Sequence, residues 1–360
     1  MSLFKNIVKC FAIALALTTT FVHAEDKKPL KVGFVYVSPI GEAGWTYTHD
    51  VARKYIEAQF GDKIETTYVE NVAEGADAER VITQLAKNGN DLIFTTSFGY
   101  MNPTIKVAKR FPKVKFEHAT GYKRAKNVGT YFDRIYQARY LTGVLAGYMT
   151  KTDTIGYVAA FPIPEVMRGI NAFTLGLRSV KPNATVKVVW VNSWYDPGKE
   201  HEAASSLIQQ GADVLTQHTD SPAPVQAAEA AGIYAIGYHS DMSVFGPKAF
   251  LTSPVHNFNE FYAKRVQQVL DGTWKSEDVW GGIDTGMTTL APLNKSVPAD
   301  VAQKIQAISD DIASGKLHPF AGPIMNQAGQ IIVKEGEQIA DKELLGMSYY
   351  VKGVEGKLPN

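Results

Sequence analysis

Two stretches of this chain follow one plan. Gln84–Ser97 (QLAKNGNDLIFTTS) and Leu207–Thr219 (LIQQGADVLTQHT) each run from the end of an amphipathic segment through a glycine and an aspartate into a short apolar run, then into polar residues. Glycine ends a helix because it alone takes left-handed φ freely, and a brief β-branched run after it reads as a strand covered on both faces. A repeated helix-turn-strand unit implies two similar lobes with parallel sheets.

The rest of the pattern agrees. Strands are predicted at Lys31–Val37, Ile64–Val69, Asp91–Thr96 and Val114–Ala119. Between them Ala52, Tyr55, Ile56 and Phe60 recur at helical spacing before Gly61, as do Val81, Ile82 and Leu85 before Gly89. Asn102-Pro103 is expected to open a third helix, as cap and first-turn proline. A second series places strands at Thr154–Ala160, Val186–Val191, Asp213–Gln217 and Ile233–Gly237, with helices over Tyr140–Met149, Val166–Val180, Lys199–Gln210 and Pro224–Ala231. Gln330–Val333 is a candidate further strand in a tail bracing lobe two. The 360 residues, 45% of them hydrophobic, suit two domains of ordinary size.

Residues 1–24 are read as a leader, not as part of the fold. Lys5 and Lys9 precede the apolar run Phe11–Leu17, and Val22-His23-Ala24 is a small-residue exit, so cleavage after Ala24 and a soluble periplasmic protein are expected. Cys10, the only cysteine, precedes most of the apolar run, so no lipid anchor and no disulfide are expected. Losing both lysines moves the net charge from +1 to −1. A balance so close to neutral gives no field toward nucleic acid or anionic lipid.

In an open parallel sheet the ligand crevice lies beyond the carboxyl ends of the strands. Residues there are aromatic and polar in this chain. Trp45 follows the first strand of one lobe and Trp194 follows a strand of the other, so the two rings are placed to stack on opposite sides of a flat heteroaromatic ligand. Asp241 and Asp284 are candidate acceptors for ligand N–H or hydroxyl groups, although each also sits where a helix cap or turn residue would. Tyr47, Tyr100, Phe161 and His218 are further rim candidates. His218 and Asp220 share a strand end, but no nucleophile, Walker loop, G-x-G-x-x-G or H-E-x-x-H stands beside them. Neither an enzyme nor a bound cofactor or metal is expected.

The stretches Gly41–Asp50 (GEAGWTYTHD), Phe111–Gly121, Tyr140–Gly156, Ser193–Ala203 (SWYDPGKEHEA), Gly237–Asp241 and His318–Ile324 together resemble the basic membrane protein (BMP) family of ABC-importer substrate-binding proteins, and its purine nucleoside receptors in particular. The resemblance implies a periplasmic-binding-protein type I fold, two Rossmann-like lobes joined by three hinge crossings. Residues 25–132 and 243–278 are assigned to lobe one, residues 133–242 and 279–360 to lobe two, with crossings near Tyr131–Arg134, Gly237–Met242 and Val279–Asp284. It also implies delivery of a purine to an inner-membrane permease driven by a cytoplasmic ATPase, and a monomer is expected. The family's two stacking rings fall on Trp45 and Trp194, and its polar contacts on Asp241 and Asp284. Two departures bear on the ligand. The first-strand motif, usually Asp-x-Ser-Phe-Asn, reads Glu42-Ala43-Gly44-Trp45-Thr46, and His256 stands where nucleoside-binding relatives place a lysine. A free nucleobase such as adenine, hypoxanthine or guanine is therefore expected ahead of a nucleoside. The alternatives are a nucleoside, flavin or sugar receptor of the same fold, and a nucleoside-processing enzyme.

Overall fold

A computed structural model describes residues 28–358; the expected leader lies outside them. Lobe one opens with β1 (Leu30–Val35), α1 (Trp45–Phe60), β2 (Ile64–Val69), α2 (Ala76–Lys87), β3 (Leu92–Thr95), α3 (Met101–Arg110), β4 (Lys115–Ala119) and β5 (Val128–Asp133). Lobe two follows with α4 (Tyr136–Met149), β6 (Thr154–Ala159), α5 (Pro164–Val180), β7 (Thr185–Trp190), α6 (Pro197–Gln209), β8 (Val214–His218), α7 (Ala223–Ala231), β9 (Tyr234–Ile236) and β10 (Phe250–Thr252). The chain then runs through β11 (Pro254–His256), α8 (Asn259–Leu270), β12 (Asp278–Gly281), β13 (Thr288–Leu290), α9 (Ala299–Ala313), β14 (Ile324–Met325), β15 (Ile331–Val333), α10 (Asp341–Leu345) and β16 (Val354–Glu355).

The strands form two six-stranded, all-parallel sheets, ordered β12-β5-β4-β3-β1-β2 and β10-β9-β8-β6-β7-β16. This is the type I architecture the resemblance implies. Both faces of each sheet are covered, since one lobe has separate apolar clusters around Phe34 and Ile82 and the other around Phe173 and Leu207. That is why the strands read as continuous apolar runs.

Sheet membership moves the later crossings. Phe250–Thr252 pairs with β9 in the second sheet, so the chain leaves that lobe near Ser253–Asn257, beyond the expected boundary at 242/243. Asp278–Gly281 pairs with β5 in the first sheet, so the return lies past Gly281 and not at 278/279. The antiparallel ribbon of β11 with β13 joins these two crossings. Local starts differ as well. The first helix begins at Trp45, and the third at Met101 with Tyr100 in the cap position, so Asn102 is no cap although Pro103 does sit in the first turn.

The tail is built into lobe two. β15 pairs with β14, and β16 adds the sixth strand beside β7. Asp341 makes a two-point ion pair with Arg134, at 2.7 and 2.6 Å, and Arg134 also donates to the Trp280 carbonyl oxygen and lies over that indole ring. One arginine thus ties the first crossing, the third crossing and the tail together. Among the described residues no helix is long and apolar enough to cross a membrane.

Candidate ligand-binding site

Between the lobes lies a narrow cavity. Its walls come from the residues that follow the carboxyl ends of six strands, as the crevice rule requires. Lobe one contributes Val37, Trp45, Ser97, Phe98 and Thr120, and lobe two contributes Glu165, Trp194 and Asp220.

The two tryptophans are held differently. Trp45 opens α1, is 7% exposed, donates its Nε1–H to the Thr96 carbonyl oxygen at 2.6 Å and meets the His256 ring edge-on at 5.1 Å. It is at once a member of the lobe-one core and a wall of the cavity. Trp194 is half-buried, is braced edge-on by Phe161 at 4.9 Å, and its Nε1–H has no partner.

Neither acidic group that lines the cavity was singled out from sequence as a ligand contact. Glu165 sits in the first turn of α5, where the helix dipole favours a carboxylate. Asp220, just past β8, is buried, accepts from Ser38 Oγ at 3.1 Å and lies 3.1 Å from His239 Nε2. Burial pushes its carboxyl well above the usual range, and the facing Glu200 adds to the rise. Thr120 Oγ1, at the cavity wall, is buried without a partner.

Four non-glycine residues take positive φ immediately beyond strand ends: Asn71, Thr120, Asn192 and His239. Such backbone is strained for side-chain-bearing residues and gathers at functional sites. Here all four follow strand ends in the two sheets.

The remaining candidates separate into groups. Phe161 supports Trp194 and does not line this cavity. His218 is buried behind Glu165, with Nε2 3.4 Å from Oε1, and burial pushes its pKa down to about 4. His256 is buried behind Trp45. Tyr100 is a core residue that donates to the Val72 carbonyl oxygen, and Tyr47 lies half-buried on α1 away from the cavity. Asp241 is exposed and accepts from Ser243 N at 2.8 Å, a turn cap, while Asp284 is exposed in the turn after β12. Neither aspartate lines this cavity, where the lining aspartate is Asp220.

A wider chamber adjoins, sharing Phe98, Thr120 and Glu165 with the first and reaching Arg168, Trp280 and Lys342.

Residues 30–318 match the family model of PnrA-like ABC transporter substrate-binding proteins (Bmp). The chain belongs to this family. It is 54% identical over 337 residues to a purine-binding protein of Brucella abortus, covering 94% of this chain and 95% of that one. It is 44% identical over 344 residues to a putative ABC transporter glucose-binding protein of Haloferax volcanii, covering 95% and 85%. Among solved structures, an ABC transporter solute-binding protein from Aeropyrum pernix shares the fold at a TM-score of 0.71 and 17% identity, over 82% of this chain and 94% of that one. As a substrate-binding protein of this family, the chain captures a small molecule for a membrane permease.

Proposed function

We propose that the protein binds a purine, as the free nucleobase, in the cavity between Trp45 and Trp194, and hands it unchanged to an ABC permease. In this reading it works as a periplasmic monomer after loss of its leader. The observation that carries the reading is the pairing of two tryptophans from opposite lobes with two acidic groups, Asp220 and Glu165, at one narrow cavity. Flat apolar faces favour a planar ring, and carboxylates accept its N–H groups. The Brucella relative, which carries the name purine-binding, supports the same ligand class. His256 favours the base over the nucleoside, because both its ring nitrogens are engaged in buried hydrogen bonds and none is free for a ribose hydroxyl.

The test is calorimetric titration of unfolded and refolded protein with adenine, guanine, hypoxanthine and their nucleosides. Bases are expected to bind more tightly than nucleosides. The reverse order would keep the purine and overturn the free-base reading, whereas binding of glucose alone would overturn the purine. Trp194→Ala is expected to weaken binding by roughly 1–3 kcal/mol, the worth of one stacked face. The fold should persist, since this ring is half-exposed; an unfolded variant would mark Trp194 as a core residue instead.

A further inference from the structure

Behind the cavity wall, four buried groups lie in a row, the last three joined by hydrogen bonds and the first in close contact with the second. Asp220 Oδ1 lies 3.1 Å from His239 Nε2, His239 Nδ1 lies 2.9 Å from His256 Nε2, and His256 Nδ1 lies 2.9 Å from Asp133 Oδ1. All four residues are at most 3% exposed. Asp220 is at the cavity, whereas Asp133 is the last residue of β5, at the first crossing.

Three gaps between four such groups need three protons, and a neutral imidazole has one N–H and one lone pair. With both imidazoles neutral and the first contact aligned as a hydrogen bond, two arrangements satisfy every gap. In one, Asp220 is a neutral acid donating to His239, and each imidazole donates through Nδ1 toward Asp133. In the other, Asp133 holds the acid proton and each imidazole donates through Nε2 toward Asp220. The first has the better surroundings in the absence of ligand. Asp133 Oδ2 accepts the Thr288 hydroxyl at 2.6 Å and feels the Arg168 charge, whereas Asp220 faces Glu200 and Glu165. His239 faces Arg139, His218 and His49, which together with burial disfavour an imidazolium there.

We propose that this row of groups is a proton wire: a ligand N–H arriving at Asp220 drives the second arrangement, so Asp220 ionises for the ligand without exchanging a proton with solvent. The Asp220 O–H bond breaks as His239 Nε2–H forms, His239 Nδ1–H breaks as His256 Nε2–H forms, and His256 Nδ1–H breaks as Asp133 O–H forms. Charge and proton number are unchanged. His239 and His256 are positioning residues in this scheme, and it rests on the purine reading for the nature of the ligand.

The tautomers are read by ¹⁵N-imidazole NMR. In ligand-free protein both histidines are expected neutral with the proton on Nδ1, and saturation with adenine is expected to move it to Nε2 in both. Adenine affinity is expected to be flat between pH 5.5 and 8, with no buffer-dependent heat. His256→Gln keeps hydrogen-bonding groups but cannot relay a proton, so its affinity is expected to fall about tenfold per pH unit toward acid, with about one proton released on binding. An imidazolium or Nε2–H state without ligand, or no tautomer change with it, overturns the wire. So does a wild-type release of one proton. If adenine does not bind, the purine reading fails, and the ligand-free tautomers alone judge the wire.

Discussion

Gly44→Val is expected to weaken adenine binding at least about 100-fold, close to 2.7 kcal/mol, while both lobes stay folded. Gly44 precedes α1 at φ 97°, a backbone region that side chains resist. Its back lies against the other lobe. A Cβ there would run into the carbonyl oxygen of Asp220 and lie 3.1 Å from the Asp220 Cβ. The same point carries two hydrogen bonds between lobes, from Gly44 N to Ser240 Oγ and from Thr48 Oγ1 to the His239 carbonyl oxygen. A branched side chain therefore holds the lobes apart, and a ligand that needs both walls gains only one. Calorimetry with adenine measures the loss, and small-angle scattering should report an open shape that ligand no longer compacts. Binding within tenfold of wild type would show that closure at this point is unnecessary.

Arg265→Met is expected to lower global stability by about 3–5 kcal/mol, because it strands a buried charge. Arg265, on α8, holds Glu117 of β4 at 2.5 Å with both side chains 1% exposed, and Trp274 Nε1–H donates to the same carboxylate. Burial pushes Glu117 up to about 7 even beside the guanidinium. Arg265 also reaches Glu277 and the Lys275 carbonyl oxygen, so it fastens the segment that enters β12. Urea unfolding should show the loss at pH 8. Adding Glu117→Gln should restore a large part of it, since the stranded carboxylate is then gone. A single variant within 1 kcal/mol of wild type would mean that the site admits water.

Inner strands such as β1, β3 and β6 were legible because each is covered on both faces and so stands out as an apolar run between helical repeats. Strand β10 was not, although β9 was read at Ile233–Gly237. Phe250–Thr252 is three residues long, and its place beside β9 depends on a partner distant from any local signal. The same distance hid the chemistry of Asp220. Next to His218 it looked like half of an acid-base pair, whereas its real partners, Ser38 and His239, come from two other strand ends. That Trp45 and Trp194 line the cavity was readable because strand-end position alone places them there. Asp241 and Asp284 stand in turns and do not line this cavity, since an aspartate beside Ser or Gly suits a turn as well as a ligand.

The Arg134–Asp341 clamp reaches beyond the tail it secures. Bending at the first crossing must carry Arg134 with it, and Asp341 and Trp280 resist that movement from segments that touch no wall of the narrow cavity. Measured affinity is the intrinsic affinity scaled by the fraction of molecules able to close. Substitutions at the clamp, some of which lie beyond the stretch shared with the family model, therefore retune how tightly the receptor holds its ligand while leaving its choice of ligand alone. Relatives with identical cavity walls can then differ in the concentration range over which they scavenge.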